Sequence, residues 1–252
     1  MKDWDIQINY GIKTGFNDAF IISTEKRNEI LASCKTENER ERTAELIRPL
    51  LRGRDIKRYG YEWADLWLIN THNGIKGKIP PIDVNEYPAI KQHLDHYWDK
   101  ISKRDDKGVT PYNLRNCAYL DDFFKPKIIF QEIVQESQFV LDTQDHFMCN
   151  DTCRIIVGDD IPFLLGILNS KLFFFAIKTY YGGGGLGEHA VRMKHTFFGM
   201  FPCVGIDNTI LSLVHNRLIT NNISNEQKID NRVYELYNLT KKEILFIENS
   251  QD

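Results

Sequence analysis

An α+β fold, strand-rich over residues 1–204 and closed by a helical hairpin over 205–252, is what the residue pattern predicts. Three observations carry that expectation. Short apolar runs of strand length recur with polar turns between them: Ile128-Ile129-Phe130, Phe139-Val140-Leu141 and Ile155-Ile156-Val157. Past Phe201-Pro202 the period changes to helical, with Ile210, Leu213, Val214 and Leu218 falling on one face. Cap signals then follow: Ser224 with Gln227 ahead of Ile229, Val233, Leu236 and Tyr237, and Thr240 with Glu243 ahead of Ile244 and Ile247.

Taken in order, residues 4–22 read as two short strands around a glycine turn. Ile6 and Ile8 alternate with polar neighbours, and Gly11-Ile12-Lys13-Thr14-Gly15 interrupts before Ala19-Phe20-Ile21-Ile22. That glycine pair with its lysine and threonine suits a close approach to phosphate, and equally suits a plain turn. Residues 25–51 read as helix, with Thr36 and Glu39 forming a capping box and Pro49 ending the helix near Arg48. Next comes LLRGRDIKRYG, where Arg52, Arg54, Lys57 and Arg58 crowd around Gly53. Arginine forks match phosphate oxygens, so a phosphate-contacting loop is one reading and a solvated charged turn the other.

Trp67-Leu68-Ile69 is the next strand, followed by the polar turn that holds Asn73 and by IPPID, whose prolines cannot donate inside a sheet. A helix starts at Pro88 and carries Ile90, Leu94, Tyr97 and Ile101. The charged segment after it, with Arg104, Lys107 and Arg115, reads as exposed. Pro162 opens the apolar stretch IPFLLGILNSKLFFFAIKTYY. Asn169, Ser170 and Lys171 sit at its centre, where a charge in lipid costs about 2.5–3.5 kcal/mol, so one buried helix or two short ones is expected and not a membrane span. Beyond it, Gly182 to Gly185 and Gly187 hold no regular element. The loop they form carries Tyr180, Tyr181, His189, Arg192, Lys194 and His195, a mixture suited to nucleic acid or to a simple connector.

With 252 residues, 42% of them apolar and 12% aromatic, the chain has ample material for a core. A net charge of −3 excludes a protein basic all over, yet leaves room for one basic face. Five cysteines form no disulfide framework and fit a cytoplasmic location; Cys149 and Cys153 lack a second Cys/His pair for zinc. Residues 1–10 lack the apolar run of a secretory signal.

No catalytic motif is evident. The one Pro-Pro, in Ile79-Pro80-Pro81-Ile82, has apolar neighbours unlike the Asp/Asn-Pro-Pro-aromatic loop of an amino-methyltransferase. There is no dinucleotide or P-loop fingerprint. The nearest carboxylate-x-lysine of nuclease type, Glu226-Gln227-Lys228, falls inside an expected helix. The expectation is a chain that binds and does no chemistry, with no metal or cofactor of its own.

Several runs then resemble one family in the right order: GIKTGFNDAFII, IRPLLRGRDIKRY, LWLINTHNG, YPAIKQHLDHYWDKISKRDDKGVTPYNLRN, KPKIIFQEI, LLGILNSKLFFF and IDNRVYELYNLTKKEILFIE. Together they resemble the C-terminal specificity region of the TaqI-like and Eco57I-like adenine methyltransferases of type IIG restriction–modification systems. The resemblance implies double-stranded DNA as partner. It also implies an upstream methyltransferase domain, absent here, that uses S-adenosylmethionine, with Mg2+ added where the parent also cuts. Site residues follow as expectations: Arg52, Arg54, Lys57 and Arg58 on the DNA backbone, and Lys13, Thr14, Asn73, Arg192, Lys194 and His195 on loops nearer the bases. Two other classes stay open: a protein-interaction module built on Leu164–Phe175 and the hairpin, and a nuclease with an unfamiliar carboxylate site.

Overall fold

The computed structural model describes residues 4–181, 190–193 and 195–250. Its strands in chain order are β1 (Ile6–Tyr10), β2 (Ile21–Ser23), β3 (Ile47–Leu51), β4 (Ile56–Lys57), β5 (Gly60–Tyr61), β6 (Leu66–Ile69), β7 (Lys127–Gln131), β8 (Ile133–Val134), β9 (Phe139–Asp142), β10 (Met148–Cys149), β11 (Cys153–Gly158) and β12 (Val191–Arg192). A four-stranded antiparallel sheet runs β1-β11-β7-β9, and a second runs β10-β3-β6-β2 with β10 and β3 parallel. The pairs β4-β5 and β8-β12 stand apart. The fold is α+β, as the pattern predicts.

The first sheet is the partition of the molecule. Successive side chains along a strand point to opposite faces, and here both faces are dry. Ile128, Phe130, Phe139 and Ile156 enter one apolar cluster, with helices Ile161–Leu168 and Lys171–Ala176 and the C-terminal helices. Their neighbours Ile129, Val140, Cys153 and Ile155 enter a second cluster, shared with the other sheet and with helix Pro88–Asp95. Burial on both faces explains why these strands read as unbroken apolar runs.

The polar interruption of the apolar stretch has a specific use. Asn169 spends its carboxamide on the edge strand: its Oδ1 accepts from Phe139 N at 3.1 Å and its Nδ2 donates to Phe139 O at 2.9 Å. Ser170 accepts from Phe173 N at 3.1 Å and so caps the second helix. The stretch is therefore two short helices bent by 62°. Among the described residues no single helix is long and apolar enough to cross a membrane.

Elsewhere the structure departs from expectation. The segment 25–51 holds helices Thr24–Ala32 and Glu37–Leu46, the second capped by Thr36 as expected, but Ile47–Leu51 is strand β3 and not helix. Proline disfavours helical backbone at the residue before it, and Ile47, Leu50 and Leu51 are all buried. Pro49 lies opposite Trp67 of β6, where β10 does not reach, so its missing N–H costs the sheet nothing. Strands β1 and β2 flank the expected turn but join different sheets. Helices Asn208–Thr220, Ser224–Leu236 and Lys241–Asn249 form the C-terminal part. The Thr240–Glu243 capping box is present, whereas Ser224 begins its helix without capping it. The segment expected to be exposed conceals Arg104, which is 7% accessible.

Candidate nucleic-acid interface

One end of the first sheet gathers most of the loops that the sequence singles out. Strand β1 leaves the sheet at Tyr10, and the chain turns against the 149–153 segment: Gly11 N donates to Cys153 O at 3.0 Å and Ile12 N to Cys149 O at 2.7 Å. A Cβ on Gly11 would fall 1.8 Å from Asn150 O, so glycine is required at that position by backbone contact. On the other side of the same segment, Thr152 Oγ1 accepts from Gly53 N at 3.0 Å and Thr152 O from Glu132 N at 3.1 Å. Glu132 O in turn accepts from Met193 N at 2.6 Å. Lys13, Arg54 and Arg192 thus sit on segments stitched to one rim.

These three differ from Arg52, Lys57 and Arg58 in what their charges do. Lys13 and Arg54 are exposed and Arg192 half-buried, and none has an ion-pair partner among the described residues. Arg52 is folded back on Asp55, with Nη2 2.8 Å from Oδ1 and Nε 3.0 Å from Oδ2. Lys57 reaches Glu62 at 3.4 Å and Arg54 O at 3.2 Å. Arg58 lies inward, its Nε 2.9 Å from Glu226 Oε2 though angled away from a hydrogen bond, and its Nη2 3.5 Å from Asp230. Asp230 also accepts from Lys171 N at 2.8 Å, and Arg217 Nε meets the second oxygen of Glu226 at 2.7 Å. Burial raises the Asp230 carboxyl above its usual range, and the Arg58 charge opposes that rise. Arg58 is therefore a latch between the strand-rich part and helix Ser224–Leu236.

The remaining expected residues divide similarly. Thr14 is buried, and its hydroxyl donates to Asn17 Oδ1 at 2.6 Å. Asn73 Oδ1 accepts from Val109 N at 2.7 Å. Lys194 and the side chain of His195 lie outside the described residues, as does His189.

Arg104, which the sequence places in an exposed segment, and Asn116 and Tyr119, which it does not single out, are structurally prominent. The Arg104 guanidinium binds four backbone carbonyls: Thr14 through a short contact, Asp106 at 2.8 Å, Pro111 at 3.0 Å and Asn113 at 2.6 Å. It thereby ties the Lys13–Thr14 turn to the 105–114 loop, and burial pulls its pKa down to about 10. Between residues 10–13 and residues 115–119, which follow that loop, lies a cleft of about 420 Å³ lined by Tyr10, Lys13, Arg115, Asn116 and Tyr119. A second cleft, of about 640 Å³, holds Asn73, Lys76 and Pro80 and also reaches Asn116. Burial pushes Tyr119 up to about 12, so it is neutral at ordinary pH. Tyr10 is 47% exposed, with the Arg154 guanidinium 4.0 Å from its ring centroid. The surface combines free cations, an aromatic face and carboxamides, the groups that phosphates and base edges require.

Residues 48–202, well over half of the chain, match the TaqI-like C-terminal specificity domain. The chain belongs to this family. Across 266 aligned residues it is 24% identical to the type II methyltransferase M.MjaIV of Methanocaldococcus jannaschii, over 95% of this chain and 84% of that protein. Its fold is similar to part of the type IIL restriction–modification enzyme MmeI, solved in complex with DNA, at a TM-score of 0.68 and 14% identity. That match takes 97% of this chain and 35% of the enzyme. The type IIG restriction endonuclease BpuSI is similar at a TM-score of 0.51 and 14% identity, over 93% of this chain and 31% of that one. The specificity-domain chain thus spans about a third of the length of either enzyme. The family match takes in the quoted runs from Arg48 of IRPLLRGRDIKRY to LLGILNSKLFFF, while GIKTGFNDAFII and IDNRVYELYNLTKKEILFIE lie outside it.

The interaction-module alternative loses its apolar stretch, and the nuclease alternative loses its carboxylate. Leu164, Phe173 and Phe175, offered as a partner-binding stretch, are buried in the first apolar cluster. Glu226, the carboxylate of the nuclease-like triplet, is committed to Arg58 and Arg217.

Proposed function

We propose that this specificity domain recognises a double-stranded DNA target for an adenine-specific methyltransferase of a restriction–modification system. The observation that carries the reading is the convergence of Lys13, Arg54 and Arg192, unpaired among the described residues, on one rim beside two carboxamide-bearing clefts. Cations on the rim neutralise phosphates and fix register, and loop side chains read base edges in the groove. Lys194 and His195 stay in the same proposal as base-proximal candidates on their chemistry and their place in the sequence. Arg52, Lys57 and Arg58 serve it indirectly, by shaping the turn that presents Arg54.

Methyl transfer and S-adenosylmethionine belong in this proposal to a catalytic domain of the parent protein, which also extrudes the target adenine. Magnesium enters only where the parent also cleaves. The chain's own share is grip and selection, in a cytoplasmic enzyme, with residues 1–204 forming the recognition unit and 205–252 its helical support.

The test is binding of this chain to a random-sequence duplex across a salt series. Affinity should fall linearly on a log–log plot, by about 0.9 per neutralised phosphate. Absence of binding at low salt, both by this chain and by its full-length parent, would overturn the proposal.

A further inference from the structure

We propose that Asn116 is a specificity-determining residue, reading the edge of an adenine through its carboxamide; this rests on the DNA-recognition reading above. Two asparagines face the paired clefts, and their situations differ. Asn73, the one the sequence favours, has its Oδ1 taken by Val109 N at 2.7 Å. One of that oxygen's two lone pairs is spent there, and the contact holds the carboxamide against the 108–109 backbone. Asn116 is exposed, stands where the two clefts meet, and makes no side-chain hydrogen bond to any described residue. A free carboxamide presents one acceptor and a two-hydrogen donor side by side. That pattern matches the N6 donor and N7 acceptor of adenine in the major groove, and no other base edge offers the same pair there.

Position and rigidity support the assignment. Lys13, on the opposite wall of the smaller cleft, supplies a cation for the flanking phosphate. Arg104 ties together the residues adjoining the two walls, through the Thr14 and Asn113 carbonyls, so Asn116 follows a segment that is already fixed. Its neighbour Arg115 is pinned by Asp106 at 2.9 Å, and Leu114 N is bonded to Thr71 O at 2.8 Å. A reading group on a fixed segment discriminates between bases, whereas one on a slack loop adapts to any of them.

Selection of bound duplexes from a random pool, by the wild-type chain and by Asn116→Ala, is the experiment. The wild type should return a site containing adenine at one position where the variant loses its preference by roughly tenfold or more. Preference elsewhere in the site and the salt slope should be unchanged. Lys13→Ala is the contrast, weakening all sequences alike with the same site. Replacing that adenine by 7-deazaadenine, which lacks the N7 acceptor, should weaken the wild type and leave Asn116→Ala unaffected. If Asn116→Ala selects the same site with equal discrimination at every position, the assignment of Asn116 is wrong and the DNA-recognition reading stands. If neither the wild-type chain nor its full-length parent enriches a sequence or binds a duplex, both fail.

Discussion

Two groups of cations, close in sequence and alike in chemistry, do opposite work in this domain. Arg52 and Arg58 are turned inward onto Asp55, Glu226 and Asp230, while Arg54 between them faces solvent without a partner among the described residues. A charge whose field is already neutralised by a carboxylate at about 3 Å releases no counterion when DNA arrives, so charge count alone is a poor guide to a binding face. What separates the groups is where the carboxylates lie in the fold, and the Arg58 partner Asp230 is 172 positions away in the chain.

The contrast can be broken most forcefully at its internal end. Lys127 is fully buried, donating to Asp142 Oδ2 and Phe123 O at 2.7 Å each, while Asp142 also takes three loop N–H groups at Asp145, His146 and Phe147. Lys127→Met leaves that carboxylate uncompensated and should cost about 3–5 kcal/mol, read as a drop in the urea midpoint. Arg58→Ala should follow at about 1–3 kcal/mol, less because its side chain is partly solvated. Its duplex affinity, measured under conditions where it stays folded, should change little.

At the rim the expected signs reverse. Arg54→Ala should alter stability by no more than about 0.5 kcal/mol. It should lower duplex affinity and shave about 0.9 from the salt slope, as Lys13→Ala should also do.

The smallest effect concerns pH. Burial lowers the His93 and His72 pKa values below 6.5, and His72 Nδ1 accepts from Gly74 N at 3.1 Å, which requires a neutral ring. As pH falls through 6.5 the unfolded chain takes up these protons first, so stability is lost and then levels off below the folded pKa values. Urea unfolding between pH 8 and pH 5 reads this loss, and His93→Gln should flatten part of it.

The legible parts of the molecule are those encoded locally. The unbroken apolar run Ile128-Ile129-Phe130 predicts a strand, and Thr36 and Thr240 announce their helices. The rim was legible in part, because an exposed lysine in a glycine turn such as Lys13 needs no distant information. Arg104 was not, since its four acceptors are backbone carbonyls contributed by separate loops, and carbonyls leave no trace in residue identity. Strand β3 was misread as helix because the preference of the 37–46 run spilled past Ile47, where burial and Pro49 decide otherwise. The signal for Asn116 was present only in the family-like run TPYNLRN that it closes.

The central claim is that unpaired rim cations, and not the inward ones, hold DNA. Salt-dependent binding of one random-sequence duplex by the wild type, by Lys13→Ala/Arg54→Ala and by Arg52→Gln tests it most directly. The account predicts that the double variant loses about 1.8 of the log–log slope while Arg52→Gln retains the wild-type value. A slope unchanged in the double variant, or reduced equally in Arg52→Gln, would contradict it.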